Sequence, residues 1–214
     1  MAQAVLFDLD GTFADTAPDL AYTLNRMRAT RGLPPVALEM TRPVTSLGAR
    51  GLLGIGFDVA PGHPDYAAMR AEFLTLYAAN VCRETTLFPG IRELLAVLES
   101  RQLAWGIVTN KAERLARALL RALELDQRAS CIVGGDTTPH LKPHPAPLLV
   151  ASRVIEIGPA DCIYVGDDRR DIEAGHAAGM KTIAVNYGYL NGGLPENWGA
   201  DAVIDEPRDV LRYL

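Results

Sequence analysis

Six short β-rich runs recur along the chain, and helical patterns separate most of them. The runs are "QAVLFDL" (3–9), "LAWGIVT" (103–109), "SCIVGG" (130–135), "DCIYVG" (161–166), "KTIAVNY" (181–187) and "DAVID" (201–205). Between them, "IRELLAVLESR" (91–101), "KAERLARALLRALEL" (111–125), "APLLVASRVIEI" (146–157) and "DIEAGHAAG" (171–179) carry apolar residues at helical spacing. In the second of these, Leu115, Leu119, Ala122 and Leu123 share a face, with arginines opposite. Strands that alternate with helices pack as a doubly wound parallel sheet. The expected class is therefore α/β, with ligand chemistry at the carboxyl ends of the strands.

Residues 16–84 break this rhythm. Thr16, Pro18 and Asp19 read as a helix start: a hydroxyl N-cap, an early proline and a first-turn acid. Helical patterns cover 19–31 and 65–82, with no convincing strand between them. The expected organisation is a core of 1–15 and 85–214 with an all-helical cap inserted at 16–84. A chain of 214 residues is long enough for such a core and insert.

The net charge is −5, and lysine and arginine are dispersed, which argues against a nucleic-acid partner. No apolar run approaches the ~18 residues of a membrane span, and no secretory signal precedes Asp8. Cys82, Cys131 and Cys162 form no Cys-x-x-Cys or Cys/His cluster, so each reads as a small core residue and the expected compartment is reducing cytoplasm.

Chemistry-bearing residues gather at the predicted strand ends. Asp8 and Asp10 are two apart, so on a strand they project to one side, and a turn at Gly11 lets both carboxylates reach one centre. Asp8 can serve as a nucleophile or metal ligand, and Asp10 as a general acid and base. Thr109 and Asn110 combine a hydroxyl with helix-start amides, a donor set for an oxyanion. Lys142, beside a proline, supplies positive charge. Asp167, Asp168 and Asp171 are clustered carboxylates, which a hard divalent cation such as Mg²⁺ would reconcile.

"FDLDGTFADT", "VTNK", "LKPHP" and "VGDDRRD" resemble, in order and spacing, the four signature motifs of the haloacid dehalogenase superfamily. The helical insertion after the first motif is similar to that superfamily's small lid. The resemblance implies that Asp8 attacks phosphorus and forms an aspartyl-phosphate, while Asp10 protonates the leaving oxygen and then activates water. It implies that Thr109 and Lys142 hold phosphoryl oxygens, with Asn110 beside them. It implies Mg²⁺ bound by Asp8, the backbone carbonyl of Asp10 and Asp167, with Asp171 and Asp168 orienting that shell.

Within the superfamily, Asp10 argues against a carbon–halogen hydrolase, because a halide needs no proton donor. The absence of lysine from 14–84 argues against a phosphonate-cleaving enzyme. A β-phosphoglucomutase-like phosphotransferase uses the same aspartates and stays open, as does a non-catalytic module, though the intact motif residues disfavour the latter. "SLGAR", "GDDRRDIEAG" and "NWGADAVID" resemble the phosphoglycolate phosphatase group, including its branch active on N-acetylmuramic acid 6-phosphate. Phe13 and Ala14 depart from that group's pattern at the hinge. The expected partner is a small phosphorylated acid or sugar, taken by a monomer or homodimer. Arg50, in the insertion, is a candidate clamp for the substrate's acidic or sugar oxygens. His140 and His144 read as surface residues, and "GLLGIG" (51–56) lacks the strand and GK[ST] of a nucleotide loop.

Overall fold

The computed structural model describes residues 2–214. Six parallel strands form one sheet: β1 (Ala4–Phe7), β4 (Ala104–Val108), β5 (Cys131–Val133), β6 (Cys162–Gly166), β7 (Lys181–Val185) and β8 (Ala202–Ile204), in the spatial order β5-β4-β1-β6-β7-β8. All six expected runs become strands, each somewhat shorter than its apolar window. The chain builds outward on one side of β1 and then on the other. The order therefore reverses at β1, which opens a crevice at the carboxyl ends of the central strands.

The strand period of two sorts side chains between the two faces. Val5 and Phe7 of β1, Trp105 and Ile107 of β4, and Ile163 and Val165 of β6 join one apolar cluster. It is covered by α5 (Ile91–Ser100) and α6 (Glu113–Ala122). Ala4, Leu6, Val108, Cys162 and Tyr164 face the other cluster, under α7 (Ala146–Val154) and α8 (Arg169–Ala178). Cys131 and Cys162 are buried as expected. Cys82 is only half-buried: it packs against the edge of the first cluster and turns the chain at φ +66°.

The segment after β1 is helical: α1 (Ala17–Ala29), α2 (Leu38–Thr41), a 3₁₀ turn at Arg42–Leu47, α3 (Ala49–Phe57) and α4 (Tyr66–Ala78). Leu20, Leu24, Met27, Leu52, Leu53, Phe73 and Tyr77 bury a third apolar cluster there, which also takes in Leu115 from α6. The chain leaves through β2 (Ala14–Asp15) and returns through β3 (Thr86–Leu87), which pair antiparallel. Buried Asp19 clasps this neck by accepting bonds from the amides of Arg83, Glu84 and Thr85 and from the Thr85 hydroxyl.

Thr16 precedes α1 but does not cap it with its side chain. Its hydroxyl donates instead to Asp10 Oδ1 at 2.5 Å, and the first amides, of Thr16 and Ala17, donate to the Tyr189 hydroxyl. The expected 65–82 helix ends at Ala78, and "GLLGIG" lies inside α3. Among the described residues no helix is long and apolar enough to cross a membrane.

Candidate active site

β1 ends at Phe7, so Asp8 and Asp10 follow the strand and do not lie on it. The Asp8 amide still bonds the Val165 carbonyl at 2.9 Å, which fixes Asp8 at the strand's carboxyl end. The turn beyond it depends on Gly11, at φ +94°. A side-chain carbon there would stand 2.2 Å from Asp167 Oδ2, so only glycine lets the loop pass.

Lys142 is the hub of the site. Its Nζ lies 2.8 Å from Asp8 Oδ1, 2.7 Å from Asp171 Oδ1, 2.7 Å from the Tyr164 hydroxyl and 3.1 Å from the Val108 carbonyl. Burial opposes the charge on Lys142, but Asp171 and then Asp8 outweigh it and hold its pKa above the ordinary lysine value. The loop carrying Lys142 is fixed by Asn110, whose amide donates to the Lys142 carbonyl at 3.0 Å and accepts from the Lys142 amide at 2.9 Å. Asn110, expected among the substrate-binding groups, thus places Lys142 and also lines the cavity over the site. Thr109 is buried at the end of β4. Its hydroxyl oxygen accepts from the Lys111 amide at 3.2 Å, which leaves the O–H free to donate.

Asp8, Asp167 and Asp171 bring carboxylate oxygens within 4.8 Å of one another, all on buried residues. Burial, followed by the charges of Asp8 and Asp171, holds the Asp167 carboxyl well above the usual carboxylate range. Lys142 pairs with Asp8 and Asp171, while among the described residues Asp167 accepts only from neutral donors, the Thr12 hydroxyl at 3.0 Å, the Tyr189 amide at 2.9 Å and the Ser46 hydroxyl at 3.4 Å, so the site is short of positive charge. An all-oxygen donor set with a charge deficit fits a hard divalent cation. The Asp10 carboxylate stands outside this cluster. Its Oδ1 accepts from Lys111 Nζ at 2.7 Å and from Thr16. Any share Asp10 takes in a metal shell therefore falls to its backbone carbonyl. Asp168 caps α8, accepting from the Arg170 amide at 2.9 Å, and it pairs with the Arg170 guanidinium at 2.8 Å. Asp171 closes the capping box by accepting from the Asp168 amide at 3.1 Å.

A cavity of about 330 Å³ lies over this floor. Asp8, Asp10, Thr109, Lys142 and Asp171 line its base, and Arg50, Tyr66, Arg70, Phe73 and Tyr77 of the helical segment line its roof. Two tethers join roof to floor: Ser46 to Asp167 at 3.4 Å, and Arg170 to the Ser46 carbonyl at 3.0 Å. Lys111, Arg170, Ser46 and Tyr77 escaped the sequence reading. For Lys111 a signal existed, since it directly follows Thr109-Asn110. Arg170 and Ser46 are brought in by tertiary contacts across more than a hundred residues, and Tyr77 by its place over Lys111. His140 and His144 are exposed and stack on each other with ring centroids 4.3 Å apart, outside the carboxylate cluster.

A doubly wound sheet with a helical insertion after its first strand, and an acid–lysine cluster at the strand ends, defines a class of hydrolase. The family model for haloacid dehalogenase-like hydrolases matches residues 5–185, and the chain belongs to that family. It is 46% identical over 209 residues to a phosphoglycolate phosphatase of Xanthomonas campestris pv. campestris, covering 96% of this chain and 93% of the relative. It is 42% identical over 213 residues to an N-acetylmuramic acid 6-phosphate phosphatase of Pseudomonas putida, covering 99% and 96%. The crystal structure of a predicted phosphoglycolate phosphatase from Haemophilus somnus superposes with a TM-score of 0.88 at 27% identity, covering 99% of this chain and 97% of that one. Phosphatase is the class these relatives share.

Proposed function

We propose that this phosphatase is a Mg²⁺-dependent phosphomonoesterase of a small phosphorylated acid or sugar, of the phosphoglycolate or N-acetylmuramic acid 6-phosphate type. The observation that carries this reading is the single cavity in which Asp8, paired with Lys142, and Asp10, paired with Lys111, face a roof bearing Arg50 and Arg70.

In the first step Asp8 bonds to phosphorus as the ester P–O bond breaks, and Asp10 gives a proton to the departing oxygen. In the second, water attacks phosphorus, Asp10 takes the water's proton, and the Asp8–phosphorus bond breaks. The net change is ester and water to alcohol and phosphate. Lys142 Nζ and the Thr109 hydroxyl hold the phosphoryl oxygens. Asp8, Asp167 and the Asp10 carbonyl would hold Mg²⁺, which supplies positive charge for the phosphoryl group, while Asp171 and Asp168 brace the floor. Residues 16–84 act as the cap, whose Arg50 takes the acidic or sugar end of the substrate. No step engages nucleic acid. The unpaired cysteines suit a cytoplasmic setting.

The test is phosphate release across a panel of phosphorylated metabolites with and without Mg²⁺, with phosphoglycolate beside N-acetylmuramic acid 6-phosphate. Turnover of an acid or sugar phosphate that needs the metal is expected. Failure to hydrolyse any monoester would overturn the reading.

A further inference from the structure

Asp10 is held from one side only. Lys111 Nζ and the Thr16 hydroxyl both donate to Oδ1, and Oδ2 has no protein partner among the described residues. Lys111 is itself enclosed: its side chain is 8% exposed, and its Nζ lies 4.6 Å from the centroid of the Tyr77 ring. A cation over an aromatic face is attracted by the ring's quadrupole, and more strongly once water is excluded. Tyr77 comes from α4 in the helical segment, whereas Lys111 and Asp10 belong to the loops after β4 and β1.

Tyr77 carries a second anomaly. Its hydroxyl is buried and is the single buried side-chain polar atom without a hydrogen-bond partner among the described residues. Burial pushes that hydroxyl up to about 12, so it stays protonated, and the nearest charges acting on it are those of Lys111 and Asp10. An orphaned buried hydroxyl carries a desolvation cost and calls for an explanation. Packing alone would be served as well by phenylalanine.

We propose that Tyr77 is a positioning residue for Asp10, acting through Lys111. Its ring and hydroxyl keep the ammonium in a dry, fixed place. Lys111 then pins Oδ1, so that Oδ2 faces the leaving oxygen of the substrate. Because Tyr77 rides on the helical segment, Asp10 is aligned for proton transfer only when that segment is seated over the floor. The inference rests on the reading of Asp10 as the proton-transfer group.

A pair of substrates of nearly one shape tests it. Phenyl phosphate releases an oxygen that needs protonation far more than that of 4-nitrophenyl phosphate. A defect that acts through Asp10 therefore weighs more on the first, whereas a loosened roof or a weakened phosphate grip lowers both alike. With kcat/KM measured for the wild type and for Asp10→Asn, Lys111→Met, Tyr77→Leu and Tyr77→Phe, Asp10→Asn should favour the nitrophenyl ester most. Lys111→Met and Tyr77→Leu should follow, each with a loss about tenfold greater on phenyl phosphate, and Tyr77→Phe should show a smaller bias. Lys111→Arg should restore part of it. If Asp10→Asn shows the bias while Lys111→Met and Tyr77→Leu lower both substrates by one factor, or by none, the positioning role is wrong. If Asp10→Asn shows no bias, the assignment of Asp10 falls and this inference with it. Thermal melts accompany each variant. Should Tyr77→Leu fail to fold, Lys111→Met and Tyr77→Phe decide.

Discussion

The floor and the roof of the cavity are built on opposite plans. On the floor, Asp8, Thr109, Lys142, Asp167 and Asp171 are all buried, and Lys142 alone makes four polar contacts. On the roof, Arg50 and Arg70 are exposed and make no hydrogen bond or ion pair among the described residues, beside apolar Phe73 and Leu74. Buried charges are tolerable only when each has a partner in good geometry, so such a floor cannot be rearranged piecemeal. Exposed arginines over an apolar wall can be exchanged at little cost to the fold. The contrast teaches a division of labour: a rigid base suited to one reaction and an adaptable cover suited to choosing among substrates.

The sharpest break in this contrast comes from Asp8→Asn. It keeps the shape and removes the charge proposed to attack phosphorus. Phosphatase activity should fall by at least about 10³-fold while the melting temperature holds, because one of three crowded carboxylates is gone. Substantial residual turnover would mean that another group attacks phosphorus.

Lys142→Met probes the same floor through its cation. It strands Asp8 and Asp171 as buried acids without their ammonium. Breaking such a pair from one side typically costs about 3–5 kcal/mol. Activity should fall with stability, by ~10²–10³ in rate. Adding Asp171→Asn should recover part of the stability, since the two sites share one contact. Simple additivity in urea unfolding would show that the ion pair is not the reason for the loss.

A milder probe is pH. The folded carboxyl of Asp167 binds its proton more tightly than the unfolded chain does. Between about 3.9 and the raised folded pKa, the metal-free fold holds a proton that the unfolded chain has lost, so stability declines as pH rises. A divalent cation must displace that proton. The gain in melting temperature on adding Mg²⁺ should therefore be larger at pH 8 than at pH 5.5. At a hundredfold excess over Kd the stabilisation behind that gain is about 2.7 kcal/mol. An equal gain at both values would detach Asp167 from the metal.

Legibility in the sequence follows the same division. The six strands could be located because each is an apolar run closed by Gly, Asp, Asn or Thr, and Asp8, Thr109 and Asp167 because they sit at those closures; Lys142, well beyond β5, and Asp171, inside α8, were legible only through their motifs. α3 was not legible: two of its residues inside "GLLGIG" are poor helix formers beyond the first glycine, and packing builds the helix anyway. A side-chain carbon on Gly56 would stand 2.4 Å from Leu24 Cδ1, so α1 and α3 approach where glycine allows it. The Lys111–Asp10 pair spans 101 residues and the Ser46–Arg170 bond 124, and no local pattern encodes either. Thr16 has the sequence of a good cap, a hydroxyl before a helix, but here the Asp10 carboxylate is the stronger acceptor.

The roof should respond to substitution with the least change in stability. Arg50→Ala and Arg70→Ala remove exposed side chains without partners, so stability should change by no more than ~0.5 kcal/mol. If each donates to an acidic or sugar group at the far end of the substrate, losing one charge-assisted hydrogen bond costs about 1.5–3 kcal/mol of binding, roughly ten- to a hundredfold in affinity. KM should rise by that order for the acid or sugar phosphate, with kcat nearly kept, because the contact serves ground state and transition state alike. Phenyl phosphate carries no such group, so its KM should move far less. A comparable rise for both substrates would make these arginines part of a general field that draws in phosphate, and selection would then rest with the apolar wall formed by Phe73 and Leu74.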